Sequence, residues 1–338
     1  MFDLKKMTLK EKAGQFLMIG FRGKSLNQKT KELIKNFYIG GVILFEDNLT
    51  DQHQTTSLCR ELQEVSRSFP AKTPLFIAVD QEGGRVSRLK DFIPPFPPAR
   101  LLGQIGSIDL VKSYFRRTAR ELKLVGINMN LAPVLDIDTN PKNPVIGDRA
   151  FGKEPGIVVK MGVAAIEALH REGVITTAKH FPGHGDTSLD SHLTLPKLEH
   201  NLVRLKNIEL KPFIAAIHHL VDTIMTAHVV YKGVDPEYPA TLSKRIIHDL
   251  LRKELKFKGV VISDDLVMKG ITESYNIEEA ALLAKNAGTD ILLISQHSKN
   301  QMKVYERLIS SIEKKEIPLS IIDRSLERIL KLKERYLS

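Results

Sequence analysis

ITTAKHF, residues 175–181, is β-branched or apolar at every position but Lys179 and His180, too short for an ordinary helix and the right length for one buried strand. Behind it, residues 156–172 repeat apolar positions at helical spacing. Gly173 stands where that segment must stop, since glycine accepts the left-handed conformation that other residues resist. Beyond it the chain turns polar. A helix feeding a buried strand that opens into a polar loop is one unit of a parallel α/β architecture.

Working outward, the same unit recurs. Strands are predicted at 15–21, 41–45, 75–80, 128–136, 175–181, 223–230, 259–265 and 290–295. Helices are predicted at 29–37, 52–67, 108–125, 156–172, 202–219, 243–255, 277–287 and 299–313, with Gly126 and Gly288 ending two of them as Gly173 ends a third. Eight strands predict an α/β protein with a closed (β/α)8 barrel of the TIM type. A last segment, 320–336, forms an extra C-terminal helix packed across the outside. The 338 residues, 42% of them hydrophobic, suffice for one large core and leave no room for a second, so residues 1–338 are expected to form a single domain. The proline-rich FIPPFPPAR, 92–100, reads as a loop after the third strand.

Composition narrows the partners. Cys59 is the only cysteine, so no internal disulfide can form. Charges at Lys5, Lys6, Lys10, Glu11 and Lys12 break up any signal-peptide core, and no long apolar run occurs, so a cytoplasmic protein without a membrane span is expected. The net charge of +10 raises nucleic acid as a partner. Its distribution argues against that, because stretches such as RKELKFKG (252–259) and RILKLKERYL (328–337) interleave Lys with core positions and read as solvated helix faces. A positive field attracting an acidic small substrate fits better. The oligomeric state stays open.

In this fold the active site lies at the C-terminal mouth, built from the loops after the strands. The loop after the third strand, VDQEGGRVSR, places Asp80 at the strand end with Arg88 nearby. That pair suits recognition of sugar hydroxyls, or else an ion pair that staples the loop. After the fourth strand, LDIDTNPKNPVIGDRAFG carries Asp136, Asp138, Asp148 and Arg149. Arg149 is the expected ligand contact and Asp136 its support.

The loop after the fifth strand is the most informative. KHFPGHGDTSLDSH, 179–192, holds three His, two Asp and a Lys in fourteen residues. His180 and His184 are four apart as in helical zinc sites, but Pro182 and Gly183 between them prevent that helix, so no metal is expected. Asp190 and His192 are two apart in a loop, where the carboxylate can polarise an imidazole that gives and takes a proton near neutrality. After the seventh strand, VVISDDLVMKG places Asp264 to face the mouth. Asp265, by strand alternation, points away to orient a neighbour or cap the next turn. Asp264 is a candidate nucleophile for an anomeric carbon, or a helix N-cap.

With these residues assembled, the chain resembles a family 3 glycoside hydrolase of the bacterial β-N-acetylglucosaminidase (β-hexosaminidase) branch, the peptidoglycan-recycling type. MTLKEKAGQFLMIGF, VDQEGGRV, FPPARLLG, APVLDI, IGDRAFG, KHFPGHGDTSLDSH and ISDDLVMKG carry the resemblance, which runs over nearly the whole length. It implies Asp264 as nucleophile, Asp190 with His192 as acid/base dyad, and Asp80, Arg88, Arg149, Lys179 and His180 as the residues that hold the terminal sugar. It implies no cofactor and a carbohydrate substrate, an N-acetylglucosamine oligosaccharide or muropeptide, cleaved with retention. Many family members take their acid/base carboxylate from a second domain, for which this sequence is expected to be too short, and that favours His192. A phosphorylase or a broader β-glucosidase on the same scaffold, and a non-catalytic binding barrel, are the alternatives.

Overall fold

The structure is a computed structural model that describes residues 4–90, 93, 95–295 and 298–337. Eight parallel strands form its centre: β1 Leu17–Ile19, β2 Gly41–Leu44, β3 Phe76–Val79, β4 Met129–Asn130, β5 Ile175–Phe181, β6 Thr223–Thr226, β7 Val260–Ile262 and β8 Leu292–Ile294. Their order around the sheet is β7-β6-β5-β4-β3-β2-β1-β8, and a parallel bridge from Ile262 to Ile291 closes it into a barrel. In-register pairs such as Gly41 with Phe76 and Leu17 with Leu292 set the ladder. Leu17, Met18, Val42, Phe76, Ile77 and Ile224 are fully buried, as expected of strands covered on both faces, whose sequences read as continuous apolar runs.

Helices alternate with the strands at Gln28–Phe37, Gln52–Arg67, Ile108–Leu124, Pro155–Arg171, Leu210–His218, Arg245–Glu254, Ile277–Ala287 and Ser298–Glu313. Gly126, Gly173 and Gly288 carry positive φ of 85°, 73° and 113° at the helix ends where the sequence placed them. Pro155 opens its helix at a position where the missing N–H costs nothing.

The structure corrects several boundaries. The predicted strand 15–21 begins inside a helix, Leu9–Gln15, closed at its start by reciprocal Thr8 and Glu11 hydrogen bonds. The predicted helix 202–219 is two, Leu202–Asn207 and Leu210–His218, parted at buried Glu209, whose carboxylate takes the Arg204 guanidinium at 3.1 Å. The predicted strand 223–230 ends at Thr226, and Val230–Gly233 instead pairs with Lys197–Asn201 in a small ribbon beside the barrel. A hairpin, Gln81–Gly83 with Val86–Ser87, and a helix, Ala99–Ile105, fill the loop after β3. Residues 92 and 94 of the proline-rich loop lie outside the described residues.

The last helix, Leu319–Leu337, lies along the N-terminal rim of the barrel, opposite the mouth. Its buried Lys333 ammonium donates to Gln15 Oε1 at 2.7 Å and to the Gly40 carbonyl at 2.8 Å. Ser325 and Arg328 reach Asp290, and Tyr336 reaches Asp222. All four partners immediately precede or open onto barrel strands. Polar pairing therefore holds an element that hydrophobic patterning alone would leave free to slide. Among the described residues, no helix is long and apolar enough to cross a membrane.

Candidate active site

At the C-terminal mouth lies a cavity of about 350 Å³ that brings all eight expected site residues together: Asp80, Arg88, Arg149, Lys179, His180, Asp190, His192 and Asp264. Lys179 and His180 stand in the last turn of β5, and the others sit past a strand end or in the loop that follows, where side chains converge toward the barrel axis.

One wall is a buried ion network. The Lys179 ammonium lies 2.6 Å from Asp80 Oδ1 and 2.7 Å from Glu82 Oε1. The Arg149 guanidinium grips both oxygens of Glu82 at 2.8 Å, a bidentate pair that fixes the planes of both groups. Burial alone would raise the Glu82 carboxyl, but Arg149 and Lys179 hold it well below the usual carboxylate range. Burial likewise opposes the charge on Lys179 and Arg149, yet Asp80 and Glu82 keep Lys179 up and Glu82 keeps Arg149 up. Charges so paired stay ionised although water is excluded, and their remaining lone pairs and protons suit sugar hydroxyls.

Two expectations are corrected here. Arg149 is held by Glu82, not by Asp136. Nor do Asp80 and Arg88 staple the loop together, because Asp80 pairs with Lys179 while the Arg88 Nε is buried without a hydrogen-bond partner. Glu82 is the residue that sequence reasoning missed. It stands two positions from Asp80, the spacing that puts side chains on one side of an extended segment.

Asp136 serves a different pair. Fully buried, it lies 2.6 Å from His180 Nδ1 and accepts the His184 backbone N–H at 2.6 Å. Burial raises its carboxyl, but His180 and His184 outweigh that and hold it down. An ionised carboxylate only accepts, so His180 carries its proton on Nδ1 and leaves Nε2 as the other ring nitrogen at the cavity. Alternation along a strand would send Lys179 and His180 to opposite sides. Both line the cavity because the register of β5 on β6 shifts between Ala178 and Phe181.

Asp264 stands past the end of β7. Burial would raise its carboxyl, but His228 and His180 nearby and the Asp265 N–H at 2.8 Å hold it below the usual range, so it stays anionic. Asp265 also borders the cavity, which strand alternation did not anticipate, because β7 ends at Ile262 and the period of two ends with it. Its carboxylate accepts from the Ser295 N–H at 3.1 Å, the Ser295 hydroxyl and the Val267 N–H, capping the turn as expected. Burial pushes that carboxyl up to about 6. His228, a buried imidazole in the apolar run TIMTAHVV, donates from Nε2 to the Asp265 carbonyl at 2.9 Å and so props the Asp264–Asp265 segment.

Across the cavity, His192 Nδ1 lies 2.7 Å from Asp190 Oδ1. The imidazole is 60% exposed and the carboxylate 29%, so this dyad sits on the open rim while Asp264 lies in the floor. Both ring nitrogens of His184 are taken by hydroxyls, those of Thr187 and Ser191. That geometry uses the ring for hydrogen bonding within the loop.

Comparisons with known proteins identify the family of the chain. "Glycosyl hydrolase family 3 N terminal domain" matches residues 8–332. The chain is 38% identical over 301 residues to a β-hexosaminidase of Idiomarina loihiensis, covering 88% of each. It is 35% identical to β-hexosaminidase A of Pseudoalteromonas piscicida over 97% of its own length, but spans only 61% of that longer protein. Among solved structures, a family 3 β-N-acetylglucosaminidase from a Paenibacillus species superposes with a TM-score of 0.96 at 42% identity, over 98% of this chain and 63% of that one. A β-N-acetylhexosaminidase from Beutenbergia cavernae superposes at 0.90 with 28% identity, over 97% and 99%. A match across nearly the whole barrel, with the charged residues of the mouth drawn into one cavity, means that the chain belongs to glycosyl hydrolase family 3.

Proposed function

We propose that the protein is a retaining exo-β-N-acetylglucosaminidase. The observation that carries the reading is the arrangement of an anionic Asp264 in the cavity floor with the Asp190–His192 dyad on its rim, 2.7 Å apart within the pair. Asp264 attacks the anomeric carbon. His192 protonates the departing oxygen, then accepts a proton from the water that cleaves the glycosyl ester, and two inversions give net retention. Asp190 keeps the His192 proton on Nδ1 when the ring is neutral and steadies the imidazolium when it is charged. Lys179, Asp80, Arg149 and His180, with Glu82 behind them, hold the hydroxyls of the terminal sugar, and Arg88 reaches the same ring. The β-hexosaminidase and β-N-acetylglucosaminidase names of the relatives support N-acetylglucosamine as that sugar. The net charge of +10 supports acidic cell-wall fragments as the natural source.

The test is hydrolysis of 4-nitrophenyl N-acetyl-β-D-glucosaminide by wild type and Asp264→Ala, with NMR of the first-formed anomer. The β-anomer from wild type and none from the variant is the expected result. First release of the α-anomer rules out retention, and a sugar phosphate formed only with added phosphate turns the reading to a phosphorylase.

A further inference from the structure

The loop that carries the dyad alternates in exposure. Asp190 and His192 face outward, whereas Ser191 between them is 2% exposed. Ser191 is tied down twice. Its carbonyl accepts the Gly270 N–H at 3.1 Å, and its hydroxyl lies 2.9 Å from His184 Nε2. His184 is itself anchored on every side. Its N–H goes to Asp136 at 2.6 Å, its carbonyl takes the Asn143 amide at 2.9 Å, and its Nδ1 meets the Thr187 hydroxyl at 2.9 Å. Next to it, a Cβ at Gly185 would lie 1.7 Å from the Ile137 carbonyl, so the backbone beside His184 packs on Ile137 without slack.

We propose that His184 is a positioning residue for the acid/base dyad, acting through Ser191 to hold the dyad loop over the cavity floor. This rests on His192 being the proton donor. The connection runs His180, Asp136, His184, Ser191, and then the dyad, so one buried carboxylate sets both a sugar-facing imidazole and the support of the acid. A histidine suits the place for a chemical reason. A neutral imidazole donates at one nitrogen and accepts at the other, and so bridges two hydroxyls without bringing a charge. Burial keeps it neutral, its pKa pushed down to about 4. An apolar side chain would fill the space but leave the buried Ser191 hydroxyl without its partner, with only the Gly270 bond to the Ser191 carbonyl remaining.

The readout is the leaving-group dependence of kcat/KM, which reports the first step. A sugar leaving group needs its proton delivered at the bond being broken, and a 2,4-dinitrophenyl group does not. Ser191→Ala is expected to lower kcat/KM on N,N′-diacetylchitobiose about tenfold or more, while the dinitrophenyl glycoside changes less than about threefold. His184→Ala should do the same. His184→Gln, whose amide can still meet the Ser191 hydroxyl, should recover most of the loss. A loss shared equally by the two substrates, or no loss in Ser191→Ala with its melting temperature unchanged, overturns the proposal. His192→Ala is the reference: if it loses equally on both substrates, the assignment of the acid itself is overturned, whereas a selective loss there and none in Ser191→Ala overturns the His184 support alone.

Discussion

Asp190 Oδ1 accepts two hydrogen bonds from His192, one from its backbone N–H at 2.8 Å and one from ring Nδ1 at 2.7 Å. A single oxygen thus fixes the backbone and the tautomer of one residue. Burial raises the Asp190 carboxyl, but the two bonds from His192 outweigh it and hold it below the usual range, so it stands beside the ring as a carboxylate.

Removing the two reacting groups separates their roles. Asp264→Ala is expected to abolish turnover of every β-N-acetylglucosaminide. His192→Ala is expected to cost roughly 10²- to 10⁴-fold on poor leaving groups and less on activated aryl ones. Steady-state rates over a series of aryl glycosides check both, and a flat dependence in His192→Ala would falsify its role as the acid.

Glu82→Gln tests the ion network. It leaves the buried Lys179 with only Asp80 and Arg149 with no carboxylate in contact, a loss that typically costs about 3 kcal/mol or more. Urea unfolding at neutral pH should show that loss. Activity assays at a temperature where the variant is folded should show a raised KM, because Lys179 and Arg149 no longer keep their places at the cavity wall. An unchanged KM with full destabilisation would reduce Glu82 to a purely structural ion.

His184 makes stability depend on pH in a stated direction. Burial holds its folded pKa at about 4 against an ordinary 6.5. Below 6.5 the unfolded chain takes up a proton that the folded chain refuses, so this group lowers stability as pH falls from 6.5 to 4, by about 3 kcal/mol in all. Asp265 runs the other way. Its folded pKa of about 6 lies above the ordinary 3.8, so the folded state binds the proton first and gains stability as pH falls between those values. The useful quantity is therefore the difference between wild type and His184→Gln, which removes one effect and keeps the other. Wild type should lose about 3 kcal/mol relative to the variant between pH 7 and pH 4, read from urea unfolding at each pH. A difference that does not change with pH would mean that His184 takes up its proton as readily in the fold as in the unfolded chain.

The far end of the barrel should be separable from the chemistry. Fully buried Asp290 takes Arg252 at 2.5 Å and Arg328 at 2.7 Å, so Asp290→Ala leaves two guanidinium groups without their anion and should cost about 3–5 kcal/mol. At 25 °C, where the variant is still folded, kcat should stay within about twofold of wild type, since the last helix and its partners sit on the rim opposite the mouth. Thermal unfolding and an aryl glycoside assay on the same sample decide it.

The sequence by itself determined the barrel and the cast of the site. Strand and helix periods are local, so eight apolar runs separated by amphipathic segments, with Gly126, Gly173 and Gly288 at helix ends, were readable from nearest neighbours alone. Because polar residues in such a fold collect at the strand ends and in the loops after them, the sequence also placed Asp80, Arg149, Lys179, His180, Asp190, His192 and Asp264 at one mouth. Only the tertiary structure decided which of them pair. Lys179 and Asp80 are 99 residues apart, and Arg149 and Glu82 are 67 apart, so no local pattern links them. The choice of Glu82 over Asp136 for Arg149, and of Asp136 for His180 and His184, follows from which strand ends the closed barrel brings side by side. The small ribbon formed by 197–201 and 230–233 arises the same way, between segments that meet only after closure. Buried charges must find partners wherever the fold puts them, and that search runs through space rather than along the chain.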